Sequence, residues 1–185
     1  MVNNIFLTGN IQVGKSTIIN HIAKKLPINI GGFETLPWYE QNQLSSFYME
    51  DINGQPQVGK PSLIAYCRGK KWVAVPDTFN DFGVAILQRC LDKKPDLIVM
   101  DELGFFESEA YRFQELVQDC LDSEVPVLGV LKKADIAFLN LIKKRRDIIL
   151  LTVTPGNRDI ISSMVYMLLQ QILHEGYQVC PHRDR

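Results

Sequence analysis

The sequence predicts an α/β fold: a mostly parallel sheet flanked by helices, with a β-hairpin-rich insertion. Three observations carry that expectation. Short runs near residues 4–7, 97–100 and 125–130 are almost continuously apolar, which suits strands covered on both faces. Segments with apolar residues at helical spacing alternate with those runs. A glycine-containing turn joins the first run directly to the first helical segment, a strand, loop and helix unit.

Each element follows from period and punctuation. Residues 4–7 form the first strand, and residues 15–26 carry Ile18, Ile19, Ile22 and Leu26 on one face before Pro27. From about 28 to 76 the pattern changes. Glycines and prolines alternate there with β-rich runs at 46–49, 63–66 and 72–75, which predicts the hairpin-rich insertion. Residues 77–91 place Phe79, Phe82, Ile86, Leu87 and Cys90 on one side of a helix that ends before Lys93, Lys94 and Pro95. A strand at 97–100, a helix at 109–121, a strand at 125–130, a helix at 134–144, a strand at 147–152 and a helix at 159–174 complete the alternation. No Gly-, Ser- or Pro-rich linker interrupts the chain, so residues 1–185 read as a single domain.

Composition narrows the function classes. Twenty basic residues against 21 acidic ones give a net charge of -1, which argues against a broad electrostatic footprint for nucleic acid or an anionic membrane. Cys67, Cys90, Cys120 and Cys180 form no CxxC pair, so neither a zinc site nor a disulfide framework is signalled. With no signal-peptide pattern and no apolar run of spanning length, the expected location is cytoplasmic.

The strongest local signal is Gly9, Asn10, Ile11, Gln12, Val13, Gly14, Lys15 and Ser16, followed by Thr17. It fits GxxxxGK[ST], the Walker A pattern, between a strand and a helix. Glycines let successive backbone N–H groups wrap an anion, and the helix N-terminus adds its positive end. Lys15 is then expected to reach the β- and γ-phosphates, and Ser16 to place its hydroxyl on Mg2+. The fold expectation sharpens to a P-loop nucleoside-triphosphate (NTP) binding domain. The base, ATP or GTP, is not specified, because the loop reads phosphates and no NKxD-type guanine signature is present.

The run 96–102 ends an apolar strand in Asp101 and Glu102. In an open parallel sheet the carboxyl end of a strand faces the ligand crevice. Asp101 is placed as the Walker B metal residue, and Glu102 as the carboxylate that orients or deprotonates water. A helix-capping role near Ser108, or a place in a solvated loop, is the alternative. Glu102 favours hydrolysis over phosphoryl transfer to an acceptor, since before Arg145 only Arg112 follows the acidic pair. A kinase and a nucleotide-switched binding module remain as other readings of the same loop.

With both motifs placed, the chain resembles the small nucleoside-triphosphatase family known from thermophiles and from a human cancer-related member. The resemblance rests on Gly9 to Thr17, on Gly32-Phe33-Glu34-Thr35, on Asp101-Glu102-Leu103-Gly104 with Glu107, Ser108 and Phe113, and on Asn157-Arg158-Asp159. It implies a RecA-like sheet with a strand inserted between those bearing Walker A and Walker B. It also implies slow magnesium-dependent hydrolysis of several nucleoside triphosphates. Phe105 and Phe106 stand where such proteins usually carry a lysine and a methionine, and the segment after Phe33 lacks the usual arginine. Arg158, after a strand end, is the candidate cation for charge developing on the phosphates, the alternative being a pair with Asp159.

Weaker features have plainer readings. Lys143, Lys144, Arg145 and Arg146 suit the end of a helix, where cations complement the dipole. His174, Cys180 and His182 fit no zinc spacing. Trp38, Tyr39, Phe47, Tyr48, Tyr66 and Trp72 concentrate in the hairpin region, mostly as core for thin strands, with a base-stacking or protein-partner surface as the alternative.

Overall fold

β1 (Asn4–Gly9) is buried at every position but Thr8, because it pairs in parallel on both edges, with β7 (Val127–Leu131) and β8 (Ile148–Val153). The structure, a computed structural model, describes residues 3–54 and 62–179. β6 (Leu97–Leu103) lies between β7 and β2 (Ile30–Glu40), again in parallel register. β3 (Gln43–Asp51), β4 (Leu63–Arg68) and β5 (Lys71–Ala74) then extend the sheet antiparallel from β2. The strand order is β5-β4-β3-β2-β6-β7-β1-β8. β7 separates β1 from β6, the inserted strand that the resemblance implies.

Helices cover both faces. α1 (Lys15–Lys25) and α6 (Arg158–Val179) share one core with Ile5, Leu7, Val99 and Leu128. α3 (Val84–Lys93), α4 (Tyr111–Asp122) and α5 (Ala137–Lys143) share the other with Phe6, Phe33, Ile98 and Met100. The split follows the two-residue period of a strand: Phe6 points to one layer, and Ile5 and Leu7 to the other. Among the described residues no helix is long and apolar enough to cross a membrane.

The structure departs from the sequence expectations in four places. β2 is a full strand in a stretch of the insertion where no β-rich run is singled out. Its pairing with β6 ends at Glu34, and Pro37 lies beyond, where β2 has a partner on one edge only, a setting that tolerates strand proline. Gly32, at φ 115°, allows close approach to β6: a Cβ there would lie 1.9 Å from the Val99 carbonyl oxygen. The helix expected at 77–91 is divided into α2 (Pro76–Thr78), a π turn at Phe79–Gly83 and α3, with Gly83 against the Phe113 ring. Third, β6 continues through both acidic residues instead of stopping at Met100. Finally, residues 134–136 are not helical and Ile136 is extended, so α5 begins at Ala137.

Arg145 stands out from its basic run. It donates to Asp122 and Asp147 at 2.6 Å each and to the Leu121 carbonyl at 3.3 Å, tying the end of α4 to the start of β8. The Arg145 guanidinium holds the Asp147 carboxyl below its ordinary pKa. Asn4 reinforces the same corner, donating to the Leu121 carbonyl and to Asp147 and accepting from the Val127 N–H.

Candidate active site

The loop between β1 and α1 carries positive φ at Gly9 (146°), Gln12 (62°) and Gly14 (98°), a sequence of turns that L side chains disfavour. Gly14 caps α1 without any side-chain hydrogen bond, and the first turn holds no acidic residue. The free N–H groups of that turn are therefore available to an anion. Lys15 is 8% exposed, and its Nζ donates to the carbonyls of Asn10 (2.8 Å) and Gly9 (3.3 Å). Ser16 and Thr17 are exposed on the same turn.

Asp101 meets this loop from β6. Its carboxylate accepts a hydrogen bond from Ser16, and burial pushes its pKa up to about 6. The Ser16 bond and the Lys15 charge lower that pKa, while Glu102 and Glu34 raise it. A buried carboxylate beside a serine hydroxyl is a pair of hard oxygen donors, and the residues fit a magnesium ion. The carboxylates neither cap α4 nor sit in a loop, since they lie within β6 and α4 has no side-chain cap.

Glu34 stands in register with Asp101 on β2 and with Glu50 on β3. Burial, and then Glu50, raise the Glu34 pKa. These carboxylates and Asn20 line a cleft of about 270 Å³ beside α1.

Glu102 is half-buried and bound at Oε1 by Lys132 Nζ, 2.9 Å away. Sequence reasoning did not single out Lys132. The available signal is a lysine directly after an apolar run, at the end of a strand parallel to those bearing Walker A and Walker B. Arg158 lies against the phosphate loop: a Cβ on Gly14 would sit 2.6 Å from Arg158 Cδ. Its Nε also donates to Asp159 at 3.3 Å, the pairing that the alternative reading of Arg158 expects. Asn157 accepts from the Thr154 N–H and donates to the Thr152 carbonyl, fixing the turn that brings Arg158 there.

Of the hairpin aromatics, Phe47 and Trp72 pack on Phe106, whereas Trp38 and Tyr39 are exposed. His174 is exposed, and Cys180 and His182 lie outside the described residues.

Glu107 closes the turn after β6 by accepting the Gly104 N–H. Complete burial pushes its pKa up to about 7, against an ordinary 4.5. A carboxyl whose pKa is higher when folded holds its proton more tightly in the folded chain. Its contribution to stability is full below about pH 4.5 and is lost as pH rises through about 7, a difference on the order of 3 kcal/mol. Glu107→Gln keeps an acceptor for Gly104 but cannot ionise. Its melting temperature is expected to exceed that of wild type above pH 7 and to converge with it near pH 5. Parallel melting curves across that range would show the assignment to be wrong.

Comparison with known proteins shows the family. The family model described as NTPase matches residues 4–166. The chain belongs to this NTPase family. It is 31% identical over 168 residues to the nucleoside-triphosphatase THEP1 of Thermotoga sp. (strain RQ2), covering 90% of this chain and 95% of that one. The cancer-related nucleoside-triphosphatase homolog of Mus musculus is 27% identical over 179 residues, covering 86% of this chain and 92% of the mouse protein. In fold, this NTPase superposes on the crystal structure of THEP1 from Aquifex aeolicus with a TM-score of 0.73 at 24% identity, covering 90% of this chain and 98% of the other.

Proposed function

We propose that this NTPase cleaves the β–γ phosphoanhydride of ATP or GTP in a magnesium-dependent reaction, with Glu102 as the water-directing carboxylate. The observation that carries the reading is convergence. Lys15 and Ser16 on α1 meet Asp101 on β6 through the Ser16–Asp101 hydrogen bond, and Glu102 follows at the same strand end.

In this reading the amides of residues 9–17 and the Lys15 ammonium bind the phosphates, and Ser16 and Asp101 hold Mg2+. Held there by Ser16 and Asp101, Mg2+ would supply positive charge to offset that of the triphosphate. Glu102 orients a water whose oxygen bonds to the γ-phosphorus. The bond from that phosphorus to the bridging oxygen breaks, its electron pair leaves with the diphosphate, and the water proton passes to the carboxylate. Arg158, beside Gly14, offsets charge gathering on the phosphates.

Phosphate release from MgATP and MgGTP by purified protein tests the reading. Glu102→Gln is expected to lose about 10²-fold in turnover while nucleotide affinity is kept. Equal turnover by variant and wild type would remove Glu102 from the mechanism.

A further inference from the structure

Lys132, which follows the apolar core of β7, is fixed more firmly than a surface lysine. Its backbone N–H donates to the Leu103 carbonyl at 2.8 Å, locking the end of β7 to the end of β6. Its stem runs over Gly104, where an added Cβ would come within 3.1 Å of Lys132 Cδ. Its ammonium lies 4.7 Å from the Phe105 ring centroid and 5.7 Å from that of Phe106. There it meets Glu102 Oε1 at 2.9 Å, with both side chains about three-quarters shielded, at 23% and 28% exposure.

Ring faces attract the cation, and partial burial weakens solvent screening, so the pair has a preferred geometry that exposed ion pairs lack. A carboxylate has two oxygens, and a lysine on one leaves the other to accept from water. β7 stands between the strands of the phosphate loop and of Asp101, so its carboxyl end faces the crevice that they share.

We propose that Lys132 is a positioning residue for hydrolysis: clamped between Gly104 and the Phe105–Phe106 rings, it holds Oε1 of Glu102 so that the other oxygen is turned to the attacking water. The proposal rests on the assignment of Glu102 made above. It places the lysine's action through Glu102 and not on the phosphates.

Single-turnover and steady-state hydrolysis of MgATP by wild type, Lys132→Met, Lys132→Arg, Glu102→Gln and the double variant Lys132→Met/Glu102→Gln tests it. A misplaced catalytic group costs up to about 10²-fold, so Lys132→Met is expected to lower kcat by roughly 10- to 100-fold with KM within about threefold of wild type. Lys132→Arg is expected to restore part of the loss. In the Glu102→Gln background the methionine is expected to add no further loss, because the group it positions has already been removed. Lys132→Gln must give the same pattern, which covers any disturbance of packing on Phe105. Wild-type kcat in Lys132→Met, or the same fold-loss in both backgrounds, overturns the proposal. If Glu102→Gln itself turns over like wild type, the Glu102 assignment fails instead.

Discussion

Lys15→Ala is expected to lower NTP turnover by on the order of 10³-fold and to abolish stabilisation of the protein by MgATP. The side chain is the one cation of the phosphate loop held nearly buried, with its ammonium at the Gly9 and Asn10 carbonyls. A triphosphate brings several negative charges to a helix N-terminus whose N–H groups alone offer only partial positive charge. Without the ammonium those charges lose their main fixed counterion during phosphoryl transfer, when preorganised charge counts most. The fold loses the Lys15 bond to the buried Gly9 carbonyl, whereas water can replace the lysine at the exposed Asn10, so only a modest loss of stability is expected without ligand. Thermal melting with and without MgATP separates the two effects. Wild type gains stability by mass action, whereas the variant is expected to melt at one temperature in both conditions. A ligand-induced shift as large as that of wild type would count against the role of Lys15.

Gly32→Ala is expected to be the most damaging single methyl group for stability, at on the order of 4 kcal/mol. Two costs combine: a positive φ that L residues disfavour, and overpacking of a tight contact, each about 1–3 kcal/mol. Here the obstacle is the Val99 carbonyl oxygen, 1.9 Å from the added carbon, and Val99 is Gly32's register partner in β6. Backbone cannot swing aside as a side chain can, so β2 must part from β6. Asp101, two residues beyond Val99, would lose its neighbour Glu34. Denaturant unfolding should show a midpoint far below wild type. Gly156→Ala, where an added Cβ meets nothing within 4 Å, is the control. Near-equal midpoints for the two variants would contradict this account.

The parallel part of the fold was legible because burial on both faces forbids alternation. β1, β6 and β7 are apolar in sequence for the same reason that they are central in the sheet. β2 was not, because Gly31, Gly32 and Pro37 interrupt its apolar pattern and serve close packing and a one-sided edge that only the assembled sheet reveals. The phosphate loop was legible as a contiguous pattern with its own chemistry. The position of Asp101 was legible from its strand, though its hydrogen bond to Ser16 was not. Lys132 was hidden for a different reason: a lysine 30 residues from its partner carries no local mark, and only the parallel pairing of β6 and β7 brings it to Glu102.

The same strand order has a consequence for how the molecule comes to exist. The antiparallel half is built from neighbours in sequence and can form early by local contacts. β1 has no such neighbours: its partners begin at Val127 and Ile148. During synthesis β1 must wait, unpaired, until β7 and β8 have emerged. Val153, against which Gly9 closes, is later still. The phosphate loop is encoded well before the strands that complete it, so any chain able to grip a nucleotide has by then seated β1 between β7 and β8.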